Sequence, residues 1–308
     1  MIAGGDQRSI GALGPAYGSV ASSAVIWGSI GLIVRLVHMS AIAITFYRVL
    51  IGAVSILFLL FIRGRLGQLR PGSRRNLARL ALMSGLYTVN WVLYFYAVWL
   101  TTVGNAALAY YTAPAFMALF GALFLNESLD RRTLLYVAAA FAGLYVLLDP
   151  SRLGHARIDG ILAAAGAGVA YAAAVITAKP LRNTFSPWSV AAYQTRGATL
   201  LLAPFFLIVG GSWSPRTVDW APLLALGLVH TTVAFWLFFR GLKHIPAKRV
   251  GFVMYLDPLV AVALSAVLLG EPLTLSTLLG GSLIVGAGLL ALKEPTAPTP
   301  APDRNQFR

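Results

Sequence analysis

The chain has 308 residues, 58% of them hydrophobic and only 11% charged, with a mean hydropathy of +0.76. A soluble domain of this length has too little polar surface to cover so much apolar area. The absence of cysteine removes disulfides, thiolate nucleophiles and sulfur-ligated metals. The net charge of +14 does not point to nucleic acid, because the basic residues sit in short connections between apolar runs, with no aromatic-interleaved basic face.

Taken in order, the apolar runs predict an all-α integral membrane protein of ten helices, at about 17–37, 41–62, 79–99, 104–125, 133–149, 160–180, 187–210, 220–241, 250–270 and 275–292. The first run carries no charge from Ser9 to Val34, too long for a signal-peptide core, and reads as a retained start-transfer helix. Residues 80–126 hold no charged side chain over 47 positions, interrupted only by the polar hairpin Thr101-Thr102-Val103-Gly104-Asn105. At about 20 residues per crossing, that is two crossings back to back. Glycine and proline inside several runs suit membrane helices. Residues 1–16 read as a cytoplasmic segment, and 293–308, with four prolines between Glu294 and Asp303, as a disordered cytoplasmic tail.

Orientation follows from Lys and Arg. With the N-terminus inside, the cytoplasmic segments receive 18 of the 24 basic residues and the opposite side four: Arg35, Arg152, Arg157 and Arg216. Such a bias places both termini in the cytoplasm, for a chain crossing the bacterial inner membrane.

A shift of 144 positions brings the two halves into register. Trp27 then meets Tyr171, Arg35 meets Lys179, Ala97 meets Gly241, Tyr111 meets Tyr255, Pro114 meets Pro258 and Glu127 meets Glu271. One four-residue adjustment before the seventh run also pairs Arg48 with Arg196. Shared composition explains matched Leu and Ala, but not matched Pro, Glu and Arg. Residues 17–149 and 160–292 therefore read as two five-helix repeats. An odd number of crossings per repeat makes them enter the membrane in opposite directions, the arrangement that permits alternating access around a midplane site.

The paired motif Tyr111-Thr112-Ala113-Pro114…Asn126-Glu127 and Tyr255-Leu256-Asp257-Pro258…Gly270-Glu271 resembles that of the drug/metabolite transporter superfamily, EamA type. The resemblance spans about residues 17–292, and is broadly similar to bacterial amino-acid and metabolite exporters. It implies a central cavity lined by the first four helices of each repeat, with the fifth and tenth peripheral.

Charge within a bilayer is costly, so each intramembrane ionisable residue is a functional candidate. Arg48 and Arg196 are read as tying helices together through carbonyls, with recognition of a substrate carboxylate as the rival. Asp257, beside the helix-bending Pro258, suits a substrate ammonium or a coupling proton, with an Arg or Lys partner as the rival. Glu127 and Glu271 read as caps or links at helix ends. His230 could sense protons but suits packing better. Tyr87, Asn90, Trp91 and Tyr94 share one face by i, i+3, i+4, i+7 spacing. With Trp27, Tyr111, Trp236 and Tyr255 they form the expected substrate-binding set, suited to partly apolar zwitterions or cations.

The expected function is a secondary transporter exporting amino acids or related small amphiphilic metabolites. A proton or substrate gradient would drive it, since no G-x-x-x-x-G-K-[ST] loop is present for ATP. Efflux of cationic drugs is the rival within the class. A membrane-embedded enzyme is disfavoured, because no His or carboxylate set stands at metal-ligand spacing. No cofactor or metal is expected. The partners are the small-molecule substrate and the lipid bilayer, and the sequence leaves the oligomeric state open.

Overall fold

The computed structural model describes residues 6–125, 129–148, 155–181, 184–209, 214–242, 250 and 253–293. Among them the secondary structure is helical throughout, in ten segments. α1 comprises Asp6–Gly28 and Ile30–Arg35, broken at Ser29. α2 is Ala41–Ile62, α3 is Arg74–Leu100, and α4 comprises Val103–Tyr110 and Ala113–Leu125. α5 is Arg131–Leu148, α6 is His155–Ala178 and α7 is Pro187–Val209. α8 runs through Trp220–Leu224, a π-helical stretch Ala225–Val233, and Ala234–Leu242. α9 is Leu256–Leu269 and α10 is Leu275–Lys293. Asn126, Glu127, residues 243–249 and 251–252 before α9, and the C-terminal tail lie outside the described residues.

By length and composition, seven of these stretches can cross a membrane: Gly14–Arg35, Ala41–Ile62, Arg74–Leu100, Val103–Phe124, Arg131–Leu148, Ile158–Leu181 and Thr217–Gly241. The apolar part of α9 and α10 is shorter, Leu256–Leu269 and Leu275–Ala291. The protein is thus a multi-pass membrane protein, helical in its described residues.

The helix starts are local chemistry. Orphan N–H groups in the first turn need an acceptor, and Ser, Thr and Asp supply one. The Ser40 hydroxyl accepts from Ala43 N at 3.3 Å, Ser73 from Asn76 N at 3.1 Å, and Thr102 from Asn105 N at 3.1 Å. Asp130 accepts from Thr133 N at 2.7 Å, Ser186 from Ser189 N at 3.1 Å and Thr274 from Thr277 N at 3.1 Å. The hydrogen bonds from Thr133 hold the Asp130 carboxyl below its ordinary range. α9 ends at Gly270, whose φ of 64° is a left-handed cap that turns the chain straight into Glu271.

Packing exchanges between the halves. α3 lies along α6 as α8 lies along α1; α4 meets α6 as α9 meets α1; α3 meets α7 as α8 meets α2. α2–α7, α4–α9 and α5–α10 each pair a helix with its own counterpart. Two glycines mark one such related pair of crossings. A Cβ at Gly28 would lie 2.6 Å from the Asp257 carbonyl oxygen, and one at Gly168 would lie 2.8 Å from that of Tyr110. Close backbone approach through small residues is how helices associate in lipid, where apolar side chains gain nothing by leaving the solvent.

Candidate functional site

Helix breaks set the site. α4 opens at Tyr111 and Thr112, and Pro114, the second residue of the helix that follows, has no N–H to continue the preceding turn and sits comfortably in the first turn of the next. Tyr255 and Pro258 occupy the same positions at the start of α9. The two tyrosine rings, one from each half, meet at 5.5 Å. Tyr111 Oη donates to the Met254 carbonyl at 2.9 Å. Tyr255 is 5% exposed and its hydroxyl has no hydrogen-bond partner among the described residues.

From this pair a chain of rings runs through the interior. Tyr111 meets Tyr110 at 6.0 Å, Tyr110 meets Tyr94 at 5.1 Å and Tyr171 at 5.7 Å, Tyr171 meets Tyr87 at 6.0 Å, and Tyr87 meets Trp91 at 5.6 Å. Tyr87, Tyr94, Tyr110, Tyr111 and Tyr171 are half-buried, so each keeps some open surface. Asn90, on the same α3 face, is buried and donates its Nδ2 to the Ala167 carbonyl at 2.8 Å, with Tyr110 beside it. The structure therefore gathers Tyr87, Asn90, Trp91, Tyr94, Tyr111 and Tyr255. It adds Tyr110 and Tyr171, which the α3 spacing alone did not include.

Two charges flank the rings. Arg48, from α2, is 5% exposed, with its guanidinium 5.4 Å from the ring centres of both Trp91 and Phe95. Its one hydrogen bond among the described residues runs from Nε to Thr231 Oγ1 at 3.1 Å. The expectation that Arg48 ties helices together through carbonyls finds no such bond among the described residues. Asp257, at the start of α9, is half-buried and faces the Tyr111 hydroxyl. Tyr94 and Tyr110 lie within electrostatic reach of both Arg48 and Asp257.

The remaining candidates lie elsewhere. His230 is buried and bonded at both ring nitrogens, to Ser29 Oγ at 2.9 Å and to the Ala225 carbonyl at 3.0 Å. Trp27 donates Nε1 to the His230 carbonyl at 2.9 Å and packs against Phe235 and Phe238, in the α1–α8 contact outside the ring chain. Trp236 is 39% exposed on the outer face, with Arg240 over its ring at 5.3 Å, so it does not reach the cluster. Arg196 is half-buried against Tyr193 of its own helix, at 4.9 Å, unlike Arg48. Glu271 sits at a helix end: Oε2 accepts from Val103 N at 2.8 Å, and Oε1 lies 3.5 Å from Arg35 Nη2. Among the described residues no group of three His, Asp or Glu side chains could hold a metal.

Sequence reasoning missed Thr231, Ser29 and Phe95. The visible signal for the first was the triplet His230-Thr231-Thr232 inside an apolar run. All three side chains bond carbonyls five residues back, those of Ala225, Leu226 and Gly227. That spacing is the signature of the π-helix around them, a form often found at functional positions.

The model of the EamA-like transporter family matches the chain twice, over residues 15–149 and 158–292. An uncharacterized transporter of Archaeoglobus fulgidus is 32% identical over 282 residues, covering 90% of this chain and 97% of that protein. The uncharacterized transporter YxxF of Bacillus subtilis is 27% identical, with 87% and 86% covered. The pseudopaline exporter CntI of Pseudomonas aeruginosa is 27% identical, with 80% and 84% covered. A solved crystal structure superposes with a TM-score of 0.64 at 23% identity, covering 91% of this chain and 97% of that one, a likeness of fold.

Proposed function

The chain belongs to the EamA-like transporter family, and from that premise we propose that it is a secondary active transporter that exports amino acids or related small amphiphilic metabolites by alternating access. In this reading the ten helices are ten crossings of the bacterial cytoplasmic membrane, arranged as two inverted five-helix repeats, residues 17–149 and 160–292, with both termini cytoplasmic.

The observation that carries the reading is the exchange of helix contacts between the halves around one cluster that both halves build. Arg48, Trp91, Tyr94 and Tyr111 come from the first, and Tyr171, Thr231, Tyr255 and Asp257 from the second. A substrate held there touches both repeats, so rocking one against the other moves its exit from one side to the other. The helix breaks at Tyr111 and Tyr255 are further support, since interrupted helices beside an intramembrane site are a recurrent feature of such transporters. The exporter name of the Pseudomonas relative supports the direction of flux. A proton gradient or counter-substrate supplies the energy.

Uptake and counterflow in proteoliposomes, with and without an imposed pH gradient, test the reading. Exchange of labelled amino acids is expected. Asp257 among aromatic rings also favours a second reading, efflux of cationic drugs; flux confined to hydrophobic cations would establish that one instead.

A further inference from the structure

Arg48 is a buried cation with no counter-ion among the described residues. Among the described residues no carboxylate lies within ion-pair distance of it, and Nε alone is hydrogen bonded. Nη1 and Nη2 have no partner, yet neither is among the sealed polar atoms of the interior, so both keep accessible surface. Trp91 and Phe95 hold the guanidinium between their rings and Thr231 anchors its Nε edge, which leaves the two-nitrogen end of the planar fork free. A free guanidinium end, desolvated and fixed in direction, matches the two oxygens of a carboxylate.

Asp257 is the complementary case. It forms no ion pair with any described cation, Arg48 included, and its neighbours are the tyrosines Tyr94, Tyr110 and Tyr111. Two opposite charges thus act on the same tyrosines, Tyr94 and Tyr110, without forming an ion pair with each other. Arg48, buried and unpaired, is in an unfavourable position, half-buried Asp257 less so, and a ligand bearing both opposite charges satisfies both residues at once.

We propose that Arg48 and Asp257 are the two poles of a zwitterion site, with the substrate carboxylate on the Arg48 fork and its ammonium on Asp257. The tyrosine rings between them take the apolar part. This rests on the transport reading and narrows it: neither pole suffices, so a monovalent hydrophobic cation satisfies Asp257 but leaves Arg48 unpaired. The two poles also come from different repeats, α2 and α9.

The test uses unaltered protein in proteoliposomes loaded with L-phenylalanine or L-leucine. Counterflow of the labelled amino acid is challenged by the methyl ester, which lacks the carboxylate, by the N-acetyl derivative, which lacks the ammonium, and by tetraphenylphosphonium. Both blocked derivatives are expected to compete at least tenfold more weakly than the parent. Arg48→Gln should erase the penalty on the ester but not that on the N-acetyl compound, and Asp257→Asn the reverse. Equal competition by the ester and the parent overturns the zwitterion site and leaves transport standing, as does flux of tetraphenylphosphonium alone. Absence of counterflow with every solute, from protein that is monodisperse in detergent, removes the transport reading itself.

Discussion

The Glu271 carboxylate accepts the backbone N–H of Val103 at 2.8 Å, so the turn that closes α9 caps the start of α4 in the other half of the chain. Arg35 Nη2 stands 3.5 Å from the same carboxylate and donates to the Thr101 carbonyl at 2.6 Å. One side chain thereby satisfies an orphan donor and ties three segments at one end of the bundle. Glu271→Ala should cost about 1 to 2 kcal/mol, the upper range for loss of a cap. Thermal unfolding in detergent measures this; an unchanged midpoint would show that water replaces the carboxylate.

Close approach at Gly168 admits no side chain. A Cβ there would stand 2.8 Å from the Tyr110 carbonyl, immediately before the break in α4. Gly168→Leu is therefore expected to separate α6 from α4, displace Tyr110 and Tyr171, and abolish transport with a loss of folded yield. Gly67, with open space around it, is the matched control, and Gly67→Ala should behave as the parent.

Trp91 supplies one of the two ring faces that hold Arg48. Trp91→Leu keeps the site apolar and removes the ring quadrupole, worth about 0.5 to 2 kcal/mol toward a cation. The expected outcome is strongly reduced counterflow with a small change in melting temperature. A large drop in melting temperature with normal transport would make Trp91 a packing residue.

Thr231→Val is close to isosteric and removes the single hydrogen bond of the Arg48 guanidinium. A bond to a charged group contributes about 1.5 to 3 kcal/mol. Transport by this variant should fall further than transport by Thr232→Val, whose hydroxyl faces Ser55 rather than Arg48. Equal loss in both would place the effect in the π-helix and not in the arginine.

Tags on the two termini should report the same side of the membrane. Labels on opposite faces would exclude ten crossings.

Much of the scaffold was legible because it is written locally. The Ser and Thr caps stand where the apolar runs begin, and Pro114 and Pro258 announce the breaks in α4 and α9. The i, i+3, i+4 stripe from Tyr87 to Tyr94 put four side chains on one face, and that face is the one the rings share. The rest depends on neighbours. Arg48 and Arg196 occupy matching positions in the sequence, yet one lies between Trp91 and Phe95 of another helix and the other against Tyr193 of its own. Trp236 looks like Trp91 in composition, but its helix turns it outward. The break at Ser29 has no proline to mark it, and the π-helix of α8 arises where His230 and Thr231 reach α1 and α2.

That widened stretch has a consequence for spacing. His230, Thr231 and Thr232 are consecutive, yet they serve Ser29, Arg48 and Ser55 on two adjoining helices, a fan too narrow for ordinary winding at about 100° per residue. Removing a single residue between Ala225 and Val233 would return the stretch to ordinary winding and pull His230, Thr231 and Thr232 out of register with those three partners. The length of this segment is therefore as critical to the protein as the identity of any side chain within it.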